Sequence, residues 1–593
     1  MKKSILLLCI ILTTMATFAV PASPYPFTAV QPDGTSITLQ RYGDEHFSFT
    51  TTVNGYLVEQ DTNGVYRYAV MSADGTVRTL NTPVTQHSDS LAHSPWQQQA
   101  STLEDIRLLQ IASPRPHHLP AIKTRRAPSQ AEYHGLVILV NFSDVGFVTP
   151  EARQQFDSQL NQPAYSDFDA TGSARDFFIE MSDGQFQPKF DVYGPYTLSR
   201  QMSYYGANSG RGSDMRPDRM IVDACTAADG DIDFSQYDEN GDGYVDCVFV
   251  FYAGYSEAAG GEENTIWPHR WTVRNSPVYD GVEVFDYACS SELAGYQGTT
   301  MDGIGIFCHE FTHVLGFPDL YNTAEGGSVL GSWDIMDQGC YLNNGRTPAA
   351  YSAYERFFMG WLTPVELTTP NIYTLPPLST ERKTFLISQD GKHNLNGKSP
   401  ESTEFFLLEN RQNTGWDSYL PGHGMLVSRI NYDASNWVNN LVNNDKEAMG
   451  VVIIHADGFA SLTSSSLAGD PFPGTTGMDM FDPVSRSGID YLKPLSHITE
   501  ESETIVFNFM NYVTPGSQEQ MIYVISLDDV WRVIVPEGDY DITLSDARGQ
   551  IVAHYRTTSP LELPTSSFTC GLYLIRIKDL LSEKTYIRKA LKY

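Results

Sequence analysis

The chain has 593 residues, 41% of them apolar, and carries 71 acidic against 39 basic side chains for a net charge of −32. That length calls for several domains with real cores. The acidic excess excludes a nucleic-acid binder, because too few cations are at hand to neutralise phosphates, and it suits binding of a hard cation.

Lys2 and Lys3 precede an apolar run from Ile5 to Thr13, and small residues follow near Ala19 and Ala22. This pattern predicts a secretory signal peptide over 1–22, with a run too short to cross a bilayer. No other stretch is long and apolar enough for a transmembrane span, so the expected location is extracellular. Residues 23–130 fall into two parts. In the first, runs such as TTVNGYLVEQ and VYRYAVM alternate between the turn signals Pro32-Asp33-Gly34, Thr62-Asn63-Gly64 and Ala73-Asp74-Gly75, which predicts β-hairpins. The second, from about 111, is Pro-rich and basic and reads as an exposed linker. Lys123, Arg125 and Arg126 suit a trypsin-like cut there. Leader, β-module and basic linker in that order predict a propeptide, with a permanent accessory domain as the alternative. This segment has no cysteine after the leader, so a thiol cannot block a metal; a carboxylate or His117/His118 stays open.

Residues 131–365 read as the catalytic domain, a mixed α/β unit. LVILVN (Leu136 to Asn141) and CVFVFY (Cys247 to Tyr252) are continuous apolar runs expected as buried strands. SARDFFIEMS is expected as a helix with Ser173 as N-cap and Asp176 in its first turn. RPDRMIVDACTAAD at 216–229 is expected as another. Just before CVFVFY, Asp238-Glu239-Asn240-Gly241-Asp242-Gly243-Tyr244-Val245-Asp246 sets oxygens at alternate positions around a turn glycine. That spacing predicts a structural Ca2+ bound by Asp238, Asn240, Asp242, the Tyr244 carbonyl and Asp246. It is EF-like without being an EF-hand, since Phe249 stands at the twelfth place. The alternative is a solvated Asp/Asn/Gly turn.

The decisive stretch is HEFTHVLGFPD, from His309 to Asp319. Two histidines four apart lie on one helical face and can hold one zinc ion, with Glu310 aimed at the same cleft as general base. Gly316 can end the helix in a left-handed conformation, Pro318 blocks its continuation, and Asp319 can return as third ligand. A catalytic zinc takes three protein ligands and leaves one position for water, whose pKa it lowers to about 7. The bland reading, a buried amphipathic helix, accounts for Phe307, Phe311, Val314 and Leu315 but not for the polar triplet. About twenty residues on comes Ser332-Trp333-Asp334-Ile335-Met336-Asp337. A zinc helix, a glycine bend, a third ligand and a later methionine turn form the metzincin pattern.

Over about 130–510 the chain resembles the immune inhibitor A-like family of secreted bacterial metalloproteases. The resemblance rests on HEFTHVLGFPDLYNT, GSWDIMDQG, GRTPAAYSAYERFFMGWL at 345–362, the segment Ile266 to Trp271, SARDFFIEMSDGQF, and EFFLLENRQNTGWDSYLPGHGML at 404–426. It implies an endopeptidase acting on protein or peptide substrates, with zinc on His309, His313 and Asp319 and with Met336 in the turn beneath the metal. His269 and Glu292 lie in matching segments, and a satisfied structural role is the expectation for His269. Tyr341 and Tyr351 could donate to an oxyanion, but most such tyrosines only pack. Cys225, Cys247, Cys289, Cys308, Cys340 and Cys570 lack zinc-cluster spacing and leave disulfides and free thiols both open.

From 366 to 513, short strands with Gly and Pro punctuation (LISQDG, EFFLLEN, HGMLVSRIN, MGVVIIHADG, TIVFNFM) predict a β-sandwich. Residues 517–593 form a last β-unit, with TLSDARGQIVAHY, LELPTSSF and GLYLIRIKD as alternating runs. Lys584, Arg588, Lys589 and Lys592 cluster at its end. It resembles the C-terminal sorting domain of type IX secretion cargo, which implies engagement of secretion machinery and release or surface attachment. The Pro-Asn-Pro box that opens such domains is absent near 520. The competing functional class is a catalytically inactive adhesin or binding protein on a protease scaffold; retention of Glu310 and three ligands speaks against it.

Overall fold

The computed structural model describes residues 18–45, 47–72, 76–85, 100–103, 105–106, 132–208, 213–510, 522–526, 530–535, 538–581 and 583–592. The leader run through Ile5 to Thr13, the turn Ala73-Asp74-Gly75 and the basic linker with His117, His118, Lys123, Arg125 and Arg126 lie outside the described residues.

A six-stranded sheet carries the candidate site. Its order is Phe18–Ala19, His269–Thr272, Asp286–Leu293, Val248–Tyr255, Glu132–Asn141, Gln187–Thr197. The last four run parallel to one another. His269–Thr272 returns antiparallel along Asp286–Leu293, and Phe18–Ala19 pairs antiparallel outside it. Both faces of this sheet are covered, which is why LVILVN and CVFVFY are apolar without alternation. Val137, Leu139, Phe249 and Phe251 point to the core that holds the helix Gly305–Val314. Leu136, Ile138, Val140, Val248, Val250 and Tyr252 point to a second core with the helix Pro217–Ala228. The helix Ala174–Met181 starts where Ser173 and Asp176 exchange side-chain and backbone hydrogen bonds in a capping box.

Residues 27–83 form a six-stranded antiparallel meander in sequence order. Two further sheets share the core of the region after 365. The five-stranded one runs Val365–Glu366, Phe385–Ser388, Glu404–Arg411, Gly424–Asn431, Val451–Ile453; the four-stranded one runs Asn371–Leu375, Thr504–Phe509, Leu495–Glu501, Met480–Phe481. Side-chain alternation divides the five-stranded sheet between two cores. Phe385, Ile387, Phe406, Leu408, Met425 and Val427 face the four-stranded sheet. Leu386, Phe405, Leu407, Leu426 and Ile430 join the core of the six-stranded sheet and the helix Gly305–Val314. Two small sheets over 523–592 enclose a separate core around Trp531. Among the described residues no helix is long and apolar enough to cross a membrane.

One segment departs from its sequence reading. Phe18 to Ala22 reads as the end of a leader, yet here it belongs to the six-stranded sheet and its core. Phe18 pairs with Arg270 and Ala19 with His269. Val20 and Ala22 are buried in the main core. The physical reason is an otherwise open sheet edge: small apolar residues satisfy its backbone groups and cover it.

Candidate metal centre and catalytic cleft

The helix Gly305–Val314 presents His309 and His313 one turn apart, and both are buried. Its N-terminal end sits tight against the turn Gln338–Tyr341; a Cβ on Gly305 would lie 1.8 Å from the Cys340 carbonyl oxygen. The helix ends as the sequence suggests. Gly316 adopts φ of 93°, its amide bonds the His313 carbonyl at 2.9 Å, and the chain doubles back. Asp319 then returns to the histidines.

The three groups converge. His309 Nε2 lies 3.1 Å and His313 Nε2 3.2 Å from Asp319 Oδ1, and the two Nε2 atoms are 3.3 Å apart. Ligands on a tetrahedral ion with bonds of about 2.0–2.1 Å stand about 3.3 Å from each other. The outer ring nitrogens decide what the inner ones offer. His309 Nδ1 sits 2.7 Å from the Ile335 carbonyl and His313 Nδ1 2.7 Å from the Phe317 carbonyl. A carbonyl only accepts, so both Nδ1 atoms carry the proton and both Nε2 atoms present lone pairs. Two lone pairs and a carboxylate oxygen facing one point at this spacing fit a divalent cation. Among the described residues this is the one group of three or more His, Cys, Asp or Glu placed to share an ion.

Asp319 is held from a distant part of the chain. Its amide donates to Asn440 Oδ1 at 2.7 Å, and Asn440 Nδ2 donates to Asp319 Oδ2 at 2.6 Å. The second oxygen is thereby tied off and Oδ1 turned toward the imidazoles. Asn440 has φ of 56°, a left-handed conformation that asparagine tolerates better than most residues. Burial would raise the Asp319 carboxyl, but the neighbouring histidines overcome it and hold it down at about 2.

Met336 lies buried in the turn that follows, with its amide on Asp334 Oδ1 at 2.8 Å and its carbonyl accepting from the Leu320 amide at 3.0 Å. Asp337 gathers the amides of Val329, Leu330 and Gly331 at 2.7, 2.7 and 3.2 Å. This turn places the Ile335 carbonyl that orients His309.

Glu310 is fully buried beside the histidines. Burial first, then Asp319 and Glu45, push its carboxyl well above the usual carboxylate range. The Val20 amide opposes that rise, although neither Glu310 oxygen has a partner of full hydrogen-bond geometry. Among the described residues no salt bridge neutralises this side chain.

Other sequence candidates separate. His269 has a partner on each ring nitrogen, the Trp267 carbonyl at 2.6 Å and the Tyr287 hydroxyl at 2.8 Å, and is structural. Glu292 accepts from the amides of Val148, Thr149 and Gly254 and pins a loop to the sheet. The Tyr351 hydroxyl meets Thr312 on the back of the helix. The Tyr341 hydroxyl donates to the Pro21 carbonyl at 2.7 Å, on the cleft side. Cys225, Cys247, Cys289, Cys308 and Cys340 are buried free thiols and Cys570 is an exposed one.

The acidic loop is not arranged around one point in the way its spacing suggests. Asp238, Asp242 and Asp246 do not bring one oxygen each within 4.8 Å of one another. Their oxygens turn instead onto the loop: Asp238 accepts from the amides of Asp242 and Gly243, Asp242 from that of Tyr244, and Asp246 from the Asn240 side chain and the Glu239 amide. Burial, then Glu239, Asp238 and Asp242, push the Asp246 carboxyl up to about 7.

Sequence reasoning missed Asn440 and the carbonyls of Ile335 and Phe317. The paired asparagines Asn439-Asn440 and Asn443-Asn444 are a signal that the sequence reading does not use.

A helix bearing His-Glu-x-x-His, an aspartate returning after a glycine bend and a methionine turn that follows make a candidate metal centre of the kind metallopeptidases use. Comparison with known proteins agrees: residues 129–362 match the immune inhibitor A peptidase M6 catalytic domain. The chain is 28% identical over 266 residues to Immune inhibitor A of Bacillus thuringiensis subsp. alesti, covering 38% of this chain and 39% of that protein. It is 25% identical over 283 residues to the pre-pro-metalloprotease PrtV of Vibrio cholerae serotype O1 strain M66-2, covering 40% of this chain and 30% of that protein. The alignments thus span well under half the length of either relative.

Proposed function

We propose that this chain is a secreted zinc endopeptidase that hydrolyses peptide bonds of extracellular proteins. The observation that carries the reading is the convergence of His309 Nε2, His313 Nε2 and Asp319 Oδ1 at 3.1–3.3 Å, beside a buried Glu310. A zinc ion held by these three residues supplies a Lewis acid for the scissile carbonyl and an acidified water. Glu310 takes the proton from the attacking water and returns it to the leaving amine. Asn440 fixes which Asp319 oxygen faces the ion, and the Ile335 and Phe317 carbonyls fix the histidine tautomers. His309, Glu310, His313 and Asp319 are all buried, which strengthens each of these interactions.

The remaining assignments belong to the same reading. Residues 1–22 direct export, 23–130 are a propeptide with its linker, 131–365 the catalytic domain in a metzincin-like arrangement, 366–513 a β-sandwich, and 517–593 a sorting domain for type IX secretion. The loop Asp238 to Asp246 binds calcium for stability once a cation replaces its internal amide contacts.

Casein hydrolysis by the processed protein, with and without a chelator, tests the assignment. Activity should vanish on zinc removal and return on its addition. Glu310→Ala should keep zinc and lose at least about 100-fold in rate. A wild-type protein that holds zinc and cleaves nothing would overturn the reading in favour of an inactive binding scaffold.

A further inference from the structure

Beside the start of the active-site helix lies a crevice of about 230 Å3. Met301, Asp302 and Ile304, which lead into that helix, line one part of it. Tyr165 and Phe168 line another, and Arg346, from the chain that leaves the methionine turn, completes it. These three segments are tied to each other through the main chain. The Gly305 amide donates to the Gly345 carbonyl at 2.8 Å, and the Thr171 amide to the Arg346 carbonyl at 3.4 Å. Asn343 Nδ2 donates to the Asp169 carbonyl at 3.0 Å. A Cβ on Gly303 would lie 2.1 Å from the Gly345 carbonyl carbon, so two of the segments meet with no side chain between them. The crevice is therefore a fixed feature of the fold.

Arg346 is the group in it that lacks a counterpart. Its Nε is enclosed by protein and has no hydrogen-bond partner. Among the described residues no carboxylate stands within ion-pair distance of its guanidinium. Its closest charged-to-aromatic contact is with Phe168, 5.9 Å from the guanidinium carbon to the ring centre. Two acids belong to the lining. Asp167 is exposed to solvent. Asp302 is partly buried and gives Oδ1 to the Gly303 amide at 2.8 Å. Burial raises the Asp302 carboxyl to about 7, against the opposing pull of that amide and of Arg346. Near neutrality Asp302 thus carries only part of a charge, while Arg346 carries all of its own. An enclosed guanidinium nitrogen without an acceptor costs free energy. A carboxylate relieves it best, since its two oxygens take two parallel N–H bonds from the guanidinium fork.

The place in the fold says where such a carboxylate comes from. Ile304 precedes His309 by five residues, about 7.5 Å of helix rise. An extended peptide advances about 3.4 Å per residue. A side chain in the crevice then belongs to a residue within about three of the bond held at the metal centre. On a chain of net charge −32, an acidic segment is attracted only where a cation stands uncompensated. We propose that this crevice is a carboxylate-recognition site, in which Arg346 receives an aspartate or glutamate side chain of the substrate close to the bond that is cut. This rests on the peptidase reading above. Arg346 selects and positions the peptide, with the stem of the acidic side chain against Met301 and Ile304, and takes no part in the chemistry.

The test uses the processed, zinc-loaded protein. Mass spectrometry of cleaved casein should find an acidic residue at one fixed position within three of the cut. Cuts without that preference overturn the proposal, and so does lysine or arginine at that position, which would assign the crevice to Asp302 and Asp167 instead. A peptide built on such a cut should show a KM at least tenfold lower with Glu than with Gln at that position, and a similar kcat. In Arg346→Gln the two KM values should converge. Arg346→Lys, which keeps the charge and loses the fork, should restore part of the difference. Each ratio is taken within one variant, so partial loss of folded protein does not move it. A preference for Glu that survives Arg346→Gln overturns the assignment. Free glutarate at tenfold the KM should leave cleavage of the Glu peptide unchanged; competition would make this a site for a small free dicarboxylate and overturn the substrate reading. Binding of fluorescent alanine-serine decapeptides with one central Glu or Gln, measured by anisotropy on zinc-loaded Glu310→Ala, needs no turnover. Tenfold tighter binding of the Glu peptide, beside wild-type protein that cleaves nothing, sinks the peptidase reading and keeps the carboxylate site. Equal binding of the two overturns the site itself.

Discussion

Each metal-facing atom at the candidate centre is set by a partner that is not itself a ligand. His309 and His313 would be free to present either nitrogen without the carbonyls of Ile335 and Phe317. Asp319 could rotate its carboxylate without Asn440. Partners of this kind are commonly worth 10–100-fold in metal affinity. Asn440→Ala should therefore weaken zinc binding by about that factor, read by competition with a chromophoric chelator, while the fold melts as a single unit. Unchanged affinity would mean that the pairing is incidental. Asp337 is the matching case for the methionine turn. Asp337→Ala removes the acceptor of the Val329 and Leu330 amides, while the Gly331 amide keeps Ser328 Oγ at 3.1 Å, and should cost about 3 kcal/mol, read by denaturant unfolding.

At the scale of elements, two pieces do more than their local pattern requires. The active-site helix begins at a glycine because a carbonyl oxygen occupies the space of a Cβ. Gly305→Ala should force the helix off the turn Gln338–Tyr341 and destabilise the protein by about 3 kcal/mol. A neutral substitution in thermal unfolding would show that this contact yields. The acidic loop Asp238 to Asp246 carries a pH signature. The Asp246 carboxyl rises from its ordinary value near 4 to about 7 in the folded chain, so the folded state holds the extra proton. Its contribution to stability is full below about pH 4 and is lost as pH rises through about 7. In the absence of calcium the melting temperature should fall between pH 5 and 8. Millimolar calcium should restore it at pH 8, where the carboxylates are ionised. No response to calcium at pH 8 would leave the loop as a simple acidic turn.

For the whole molecule, the limits of the matched peptidase domain, 129–362, are not the limits of its core. Leu386, Phe405, Leu407, Leu426 and Ile430 come from the sheet beyond 365 and are buried in the same cluster as the active-site helix. Each such side chain contributes about 1.5–3 kcal/mol on burial. Asn440 arrives from the same region. A chain ended at residue 362 should lack a cooperative unfolding transition and lose defined near-ultraviolet circular dichroism. A sharp melt with full zinc affinity would make the later sheets an ornament.

Much of this protein could be read before any coordinates. Continuous apolar runs marked strands covered on both faces, and Ser173 with Asp176 marked a helix start. The spacing from His309 to Asp319 described one helical turn, a left-handed glycine and a return. Those are local rules, in which a few neighbouring residues determine the backbone and so can be recovered from neighbours alone. What only the tertiary structure decided lies between residues far apart in sequence. Asn440 reaches Asp319 across 121 positions and Tyr341 reaches Pro21 across 320. The segment Phe18 to Ala22 reads as disposable because its composition is generic, yet an open strand edge makes a place for it. Such pairings leave no periodicity in the sequence, since their geometry comes into being only when separate sheets and helices close on one core.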